Sequence, residues 1–241
     1  MASTTTTTTT TTDPGSTFTT SNPPVPRESR GSIAPQTIAT PTFGPGGSFS
    51  IVVSTHIDAP PDTVFAVLTD HTKWPEWNRF VPRLTVISSP PPADADPDAG
   101  ALETLIQRGD GSTYLKKDTK VYFEVHLDPD NPDPRSGRKE AIQVTLLEPY
   151  GHAGRKGWRI AWKPTGYPGV ALRSERVQEF VDDGEGGTEY TCWETMYGFL
   201  GPVVRLTTGA KLEKGFQCWA EDLKKRSEER VRAETAPPLG E

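Results

Sequence analysis

The chain has little of what metal and disulfide chemistry needs. Its 241 residues hold two cysteines, Cys192 and Cys218, and four histidines, His56, His71, His126 and His152. Two cysteines make no disulfide framework, and the histidines show no ligand spacing such as two on one helical face. No metal is expected. Basic residues are the minority too: 26 Lys and Arg against 32 Asp and Glu leave a net charge of −6. That balance argues against nucleic acid, which calls for a basic face. No apolar run approaches the ~20 residues that cross a bilayer, so no transmembrane segment is expected. Neither a phosphate-cradling glycine loop nor a nucleophile elbow occurs. Nucleotide and triad-hydrolase chemistry are therefore unsupported, and no cofactor is expected.

What is present divides into tails and one domain. The first 47 residues contain an unbroken threonine run, Thr4 to Thr12, with many Pro and Ser and few large apolar side chains. Such a segment buries too little apolar surface to offset a chain entropy of roughly 1–2 kcal/mol per residue. The expectation is a disordered tail over 1–47, a folded domain over 48–232 and a second disordered tail over 233–241. A chain starting near Gly46 should then fold as well as the whole. No signal-peptide core precedes the threonine run, and Arg27 and Arg30 are opposed by Asp13 and Glu28. A cytoplasmic location is expected, with a mitochondrial one as the weaker alternative.

The domain opens with the alternating run Phe49–Ile57, a strand pattern. Pro60 and Pro61 fit the first turn of a short helix, on which Val64, Phe65 and Leu68 share a face. A second short turn, Trp74 to Trp77, leads into Asn78-Arg79-Phe80. Candidate strands follow over Val81–Ile87, Leu102–Arg108, Thr119–Leu127, Glu140–Leu147, Gly157–Trp162, Leu172–Val181 and Thr188–Phe199. Pro- and Gly-rich clusters separate them, and Gly166-Tyr-Pro-Gly169 reads as a plain turn or as a gate loop. A last helix starts at Gly201-Pro202. Its Leu212, Phe216, Trp219 and Leu223 recur at spacings of four, three and four, which makes one face apolar.

Two of these stretches resemble a family. Pro-opened Ala59–Asp70 with Trp74-Pro-Glu-Trp-Asn78, and Gly187-Thr-Glu-Tyr-Thr-Cys-Trp-Glu-Thr-Met-Tyr-Gly-Phe-Leu-Gly-Pro202, are similar to the START-like (Bet v 1-like) superfamily. The likeness is to its polyketide cyclase/dehydrase and lipid-transport branch and covers roughly 48 to 230. It implies an α+β helix-grip fold. In that fold a curved antiparallel sheet of about seven strands wraps a long C-terminal helix, two short helices follow the first strand, and a hydrophobic cavity lies inside. The resemblance also places Glu194 on the inner face, continued by Met196. It favours Trp77, Phe80, Phe216 and Trp219 as cavity lining.

Register supplies the chemistry. If the hairpin over Asp183–Gly187 pairs residue 182 with 188, then Phe180 opposes Tyr190, Gln178 opposes Cys192 and Arg176 opposes Glu194, all six on one face. Trp193 and Tyr197 then point outward. Arg176 and Glu194 would be opposite charges inside an apolar cavity, either a structural pair that fixes register or a polar anchor and acid/base site. The resemblance implies a hydrophobic small-molecule partner: a polyketide, a lipid or a quinone. Two functions stay open: a cyclase or dehydratase-like enzyme of secondary metabolism, or a non-catalytic lipid, sterol or coenzyme Q-like carrier. Transient membrane contact is compatible with either; Arg205 and Lys211, early on the last helix, read first as solvated charge and second as partners for an acidic headgroup.

Overall fold

The computed structural model describes residues 21, 23–91, 100, 102, 104, 106, 113–131, 133 and 137–236. Eight strands form one antiparallel sheet: β1 (Ser32–Ile33), β2 (Phe49–Ile57), β3 (Arg83–Ser88), β4 (Lys120–Val125), β5 (Arg138–His152), β6 (Arg155–Pro164), β7 (Arg173–Asp182) and β8 (Thr188–Tyr197). Their spatial order is β1-β2-β8-β7-β6-β5-β4-β3. Between β2 and β3 run α1 (Pro61–Thr69), a 3-10 turn (His71–Lys73) and α2 (Trp74–Trp77); α3 (Gly201–Thr235) follows β8. This is the helix-grip architecture, with the curved sheet holding α3.

Each element follows from its residues. Proline sits at the first positions of α1, α2 and α3, where its missing N–H costs nothing. Val64, Phe65 and Leu68 of α1 and Leu212, Phe216, Trp219 and Leu223 of α3 are all buried, as their spacing predicts. These faces meet in one core with Ile51, Val53, Trp74, Val144 and Ile160. The expected β7–β8 register is the observed one: Asp182 opposes Thr188, Phe180 opposes Tyr190, Gln178 opposes Cys192 and Arg176 opposes Glu194.

Three expectations need correction. The segment expected as a strand over Leu102–Arg108 is helical at Leu102, Thr104 and Ile106, its described residues. Ile106 is buried, and a short apolar run of this kind fits a helix as readily as a strand. The C-terminal tail begins later than expected, because α3 continues to Thr235.

The third correction concerns the N-terminal segment. Residues 1–20 lie outside the described residues, but the described residues between Ser21 and Gly47 pack on the outer face of the sheet and, through β1, along its edge beside α3. Val25 and Ile38 form a second apolar cluster there with Val52, Ala161, Val177 and Trp193. Ile33 N–H donates to Glu213 Oε1 at 2.8 Å, and Ile38 N–H donates to Ser50 Oγ at 2.8 Å. Thr195 Oγ1 and Trp193 Nε1 donate to the carbonyls of Ile38 and Ala39. Glu175, fully buried, accepts from the Thr42 N–H and from the Thr42 and Thr145 hydroxyls. Composition misleads here because the segment needs no core of its own. A few spaced apolar residues suffice where the sheet already presents Trp193 and Val177, and side chains of both α3 and the sheet accept from its backbone N–H groups.

Candidate functional site

Between the sheet and the N-terminal half of α3 lies a pocket of about 290 Å³. Phe80, Val81, Phe123, Val125, Ile142, Trp162, Met196 and Leu212 give it apolar walls, and Tyr167, Leu172, Val204 and Thr208 border it. Into this chamber project Ser174, Arg176, Glu194 and Glu140. The β-pleat explains the grouping. Ser174 and Arg176 stand two apart on β7, Glu194 faces Arg176 from β8, and Glu140 shares the parity of buried Ile142 and Val144 on β5.

The charged pair is tightly held. Arg176 Nε and Nη2 donate to Glu194 Oε2 at 3.1 and 3.0 Å, and Ser174 Oγ donates to Glu194 Oε1 at 2.7 Å. Arg176 is 7% and Glu194 9% exposed. The guanidinium lies 4.1 Å from the Phe216 ring centroid and 5.4 and 5.6 Å from those of Phe80 and Trp219, so aromatic faces offset part of its desolvation. Among the described residues its Nη1 takes no hydrogen-bond partner. Glu140 differs: burial first, then the Glu194 charge, push its carboxyl up to about 7, against a smaller opposing pull from Arg176.

The polyketide cyclase/dehydrase and lipid-transport family matches residues 48–228. The chain belongs to that family. A relative from Penicillium oxalicum, the oxopyrrolidines biosynthesis cluster protein O, is 28% identical over 181 residues, 70% of this chain and 82% of its own. Among solved structures, the ZhuI aromatase/cyclase from a Streptomyces species superposes with a TM-score of 0.52 at 11% identity, covering 78% of this chain and 98% of the other. A START superfamily protein from Mycobacterium smegmatis gives 0.47 at 15%, covering 75% and 98%. At 11% identity the likeness to the aromatase/cyclase concerns the fold alone.

Of the residues named from the sequence as candidate site residues, the structure places Phe80, Met196, Arg176 and Glu194 at this pocket. The others lie elsewhere, and the expected lining is corrected. Gln178, Phe180, Tyr190, Cys192, Phe216 and Trp219 are at most 1% exposed and sit in the packed end of the grip. Phe65 stacks on Trp158 and meets Phe180 there, and Trp74, Trp162 and Trp219 meet edge to face. Gln178 Oε1 accepts from both Tyr190 Oη and Trp219 Nε1, while its buried Nε2 has no hydrogen-bond partner among the described residues. Burial raises the Cys192 thiol to about 12, so it is inert. Trp77 lines a separate surface groove with Arg79, Glu124 and His126. Trp193 and Tyr197 face outward as their parity requires, beneath the N-terminal segment.

The residue that site reasoning missed is Glu140. Its signal was available: it opens a candidate strand in phase with Ile142 and Val144, which marks it as inward. Among the described residues no His/Cys/Asp/Glu cluster could hold a metal, and no helix is long and apolar enough to cross a membrane.

Proposed function

We propose that the protein encloses a hydrophobic small molecule in this pocket and acts on it as a cyclase- or dehydratase-like protein of secondary metabolism. The observation that carries the reading is a buried ion pair set among the apolar side chains of the pocket, with one guanidinium nitrogen left over. Burying two charges costs several kcal/mol of desolvation per ion before their attraction offsets it. A chamber serving only to dissolve an apolar ligand gains nothing from that arrangement. Glu194, gripped by Ser174 and Arg176, holds the guanidinium so that Nη1 is presented to a ligand oxygen. A charge-assisted bond there stabilises negative charge developing on a carbonyl. The walls confine a flexible chain so that its reacting atoms stay close, and Glu194 is positioned to relay a proton. The biosynthesis-cluster relative supports the assignment to secondary metabolism.

A specific observation favours a second reading, a lipid, sterol or quinone carrier. Tyr167, Val170, Phe199, Val203 and Leu206 are 53–88% exposed in the loop and helix turns that border the pocket, an apolar rim suited to transient contact with a membrane.

The test is native mass spectrometry of protein purified from its own host, followed by metabolite comparison between wild type and Glu194→Gln. A trapped polyketide-like compound, and lost product in a variant that still binds it, supports the enzyme. A stoichiometric lipid, sterol or quinone, with Glu194→Gln binding as before, supports the carrier.

A further inference from the structure

Glu140 stands apart from the other polar groups of the pocket. Glu194 has three hydrogen bonds, whereas the Glu140 carboxyl takes part in no hydrogen bond or ion pair formed among the described residues. The backbone explains its position. β5 pairs Glu140 with Phe123 of β4, whose ring lines the same pocket, and two residues on Ile142 forms the adjoining wall. The charged groups that face it from each neighbouring element are few. Its own strand contributes Arg138 and Lys139, β7 contributes Arg173 and Arg176, and β8 contributes Glu194. From α3 come only Val204, Thr208 and Leu212, and from the 165–172 loop Tyr167 and Leu172. Arg173 is drawn to the other face, where its guanidinium stacks 5.1 Å from the Phe43 ring and 5.6 Å from that of Tyr197. Arg176 is already committed to Glu194 through two of its nitrogens.

A carboxyl so placed, half-buried beside the Arg176-paired Glu194 and without a hydrogen-bond partner among the described residues, favours its neutral form. The neutral form is a donor, and the pocket offers that donor to whatever fills it. Resting on the reading of this pocket as a ligand site, we propose that Glu140 meets the ligand as a neutral carboxyl, donating a hydrogen bond to a carbonyl oxygen of an apolar molecule, with Arg176 Nη1 as the second donor available to that molecule. The ligand class that fits is an apolar compound carrying at least one carbonyl on the side that faces β5 and β7. Glu194 holds the arginine, and Glu140 contributes the proton-bearing oxygen.

The neutral fluorescent ketone prodan tests this, because it has a carbonyl acceptor and does not titrate between pH 5 and 9. Its binding to the full chain should weaken about tenfold from pH 5.5 to 8.5, as the donor is lost and a bare carboxylate faces the carbonyl. Glu140→Gln keeps a donor of the same shape and should bind prodan with a flat profile. Glu140→Leu, with no donor, should bind weakly and without pH dependence. Carbon-13 carboxyl titration of the wild type supplies a reading independent of ligand: the resonance missing from Glu140→Gln should have its midpoint near 7. An ordinary midpoint, or a Glu140→Gln binding profile that follows the wild type, overturns the assignment while leaving the pocket a ligand site. Failure of prodan to bind wild type at any pH, with the midpoint still near 7, counts against the pocket reading and takes this inference with it.

Discussion

The two ends of the groove between α3 and the sheet hold different interiors. At one end Trp219 lies edge-on to Trp74, Trp77 and Trp162 at centroid distances of 5.3, 6.1 and 5.9 Å, and Phe65, Trp158 and Phe180 close the space behind them. At the other end the same helix presents Leu212, Thr208 and Val204 to an open pocket. The apolar stripe is continuous, but side-chain volume falls along it toward the N-terminus of α3. Phe216 marks the divide, its ring lying against Arg176. Large aromatics fill one end and secure the fold, so the other can leave space beside buried charge.

Trp219→Ala should cost about 3–5 kcal/mol, because it opens a cavity among rings that cannot collapse and removes a donor from Gln178. Leu212→Ala, which only enlarges an existing space, should cost roughly 1–2 kcal/mol. Denaturant unfolding at constant m separates them, and equal losses would mean that the two ends share one packing regime. At the divide, Arg176→Met leaves the Glu194 carboxylate buried and unpaired, at about 3 kcal/mol. Adding Glu194→Gln should recover most of that loss, and a double mutant no better than the single would show that the ring contacts, not the charge, dominate.

The outer face extends the comparison to the N-terminal segment. A chain starting at Gly46 loses the buried side chains of Val25 and Ile38 and uncovers Trp193 and Val177. At ~1.5–3 kcal/mol per buried aliphatic side chain, offset by the entropy regained, the loss should be about 2–4 kcal/mol and readable as a lower melting temperature. Melting at the wild-type temperature would mean that the segment contributes nothing to the fold's stability.

Much of the fold was legible because its signals are periodic. The β2 strand ends where the alternation ends, at Phe49 and Ile57, and the stripe of α3 is the buried one. The β7–β8 register followed from one turn, and with it the Arg176–Glu194 pair. What periodicity does not carry is where side chains leave room. Gln178, Tyr190 and Cys192 share a face with Glu194, yet they are sealed because Phe65 and Trp158 come from distant segments to cover that end. The outer-face segment was hidden for a related reason. Its few apolar residues are spaced irregularly and gain their partners from strands far along the chain. Glu140 lay between these cases: its parity was readable, but its proximity to Glu194 across two intervening strands, β6 and β7, needed the sheet's curvature and order.

The smallest expected effect is the pH dependence that Glu140 gives the fold. In the native chain its carboxyl titrates near 7, against an ordinary value of 4.5. Between those values the folded state binds a proton that the unfolded chain has released, so the linkage slope is negative there. The stability associated with the protonated carboxyl is fully present below about 4.5 and is lost as pH rises through about 7. Glu140→Gln cannot release that proton and should flatten the profile. Relative to it, wild type should lose on the order of 1–2 kcal/mol between pH 4.5 and 7.5, less than the full shift would give because water reaches the pocket. Urea unfolding at closely spaced pH values reads the difference. If wild type and Glu140→Gln run parallel over this window, Glu140 is ionised at neutral pH and belongs with the solvated charge at the pocket rim. If they diverge as stated, the open end of the groove contains a carboxyl whose proton the fold itself retains, a feature the packed aromatic end has no means to supply.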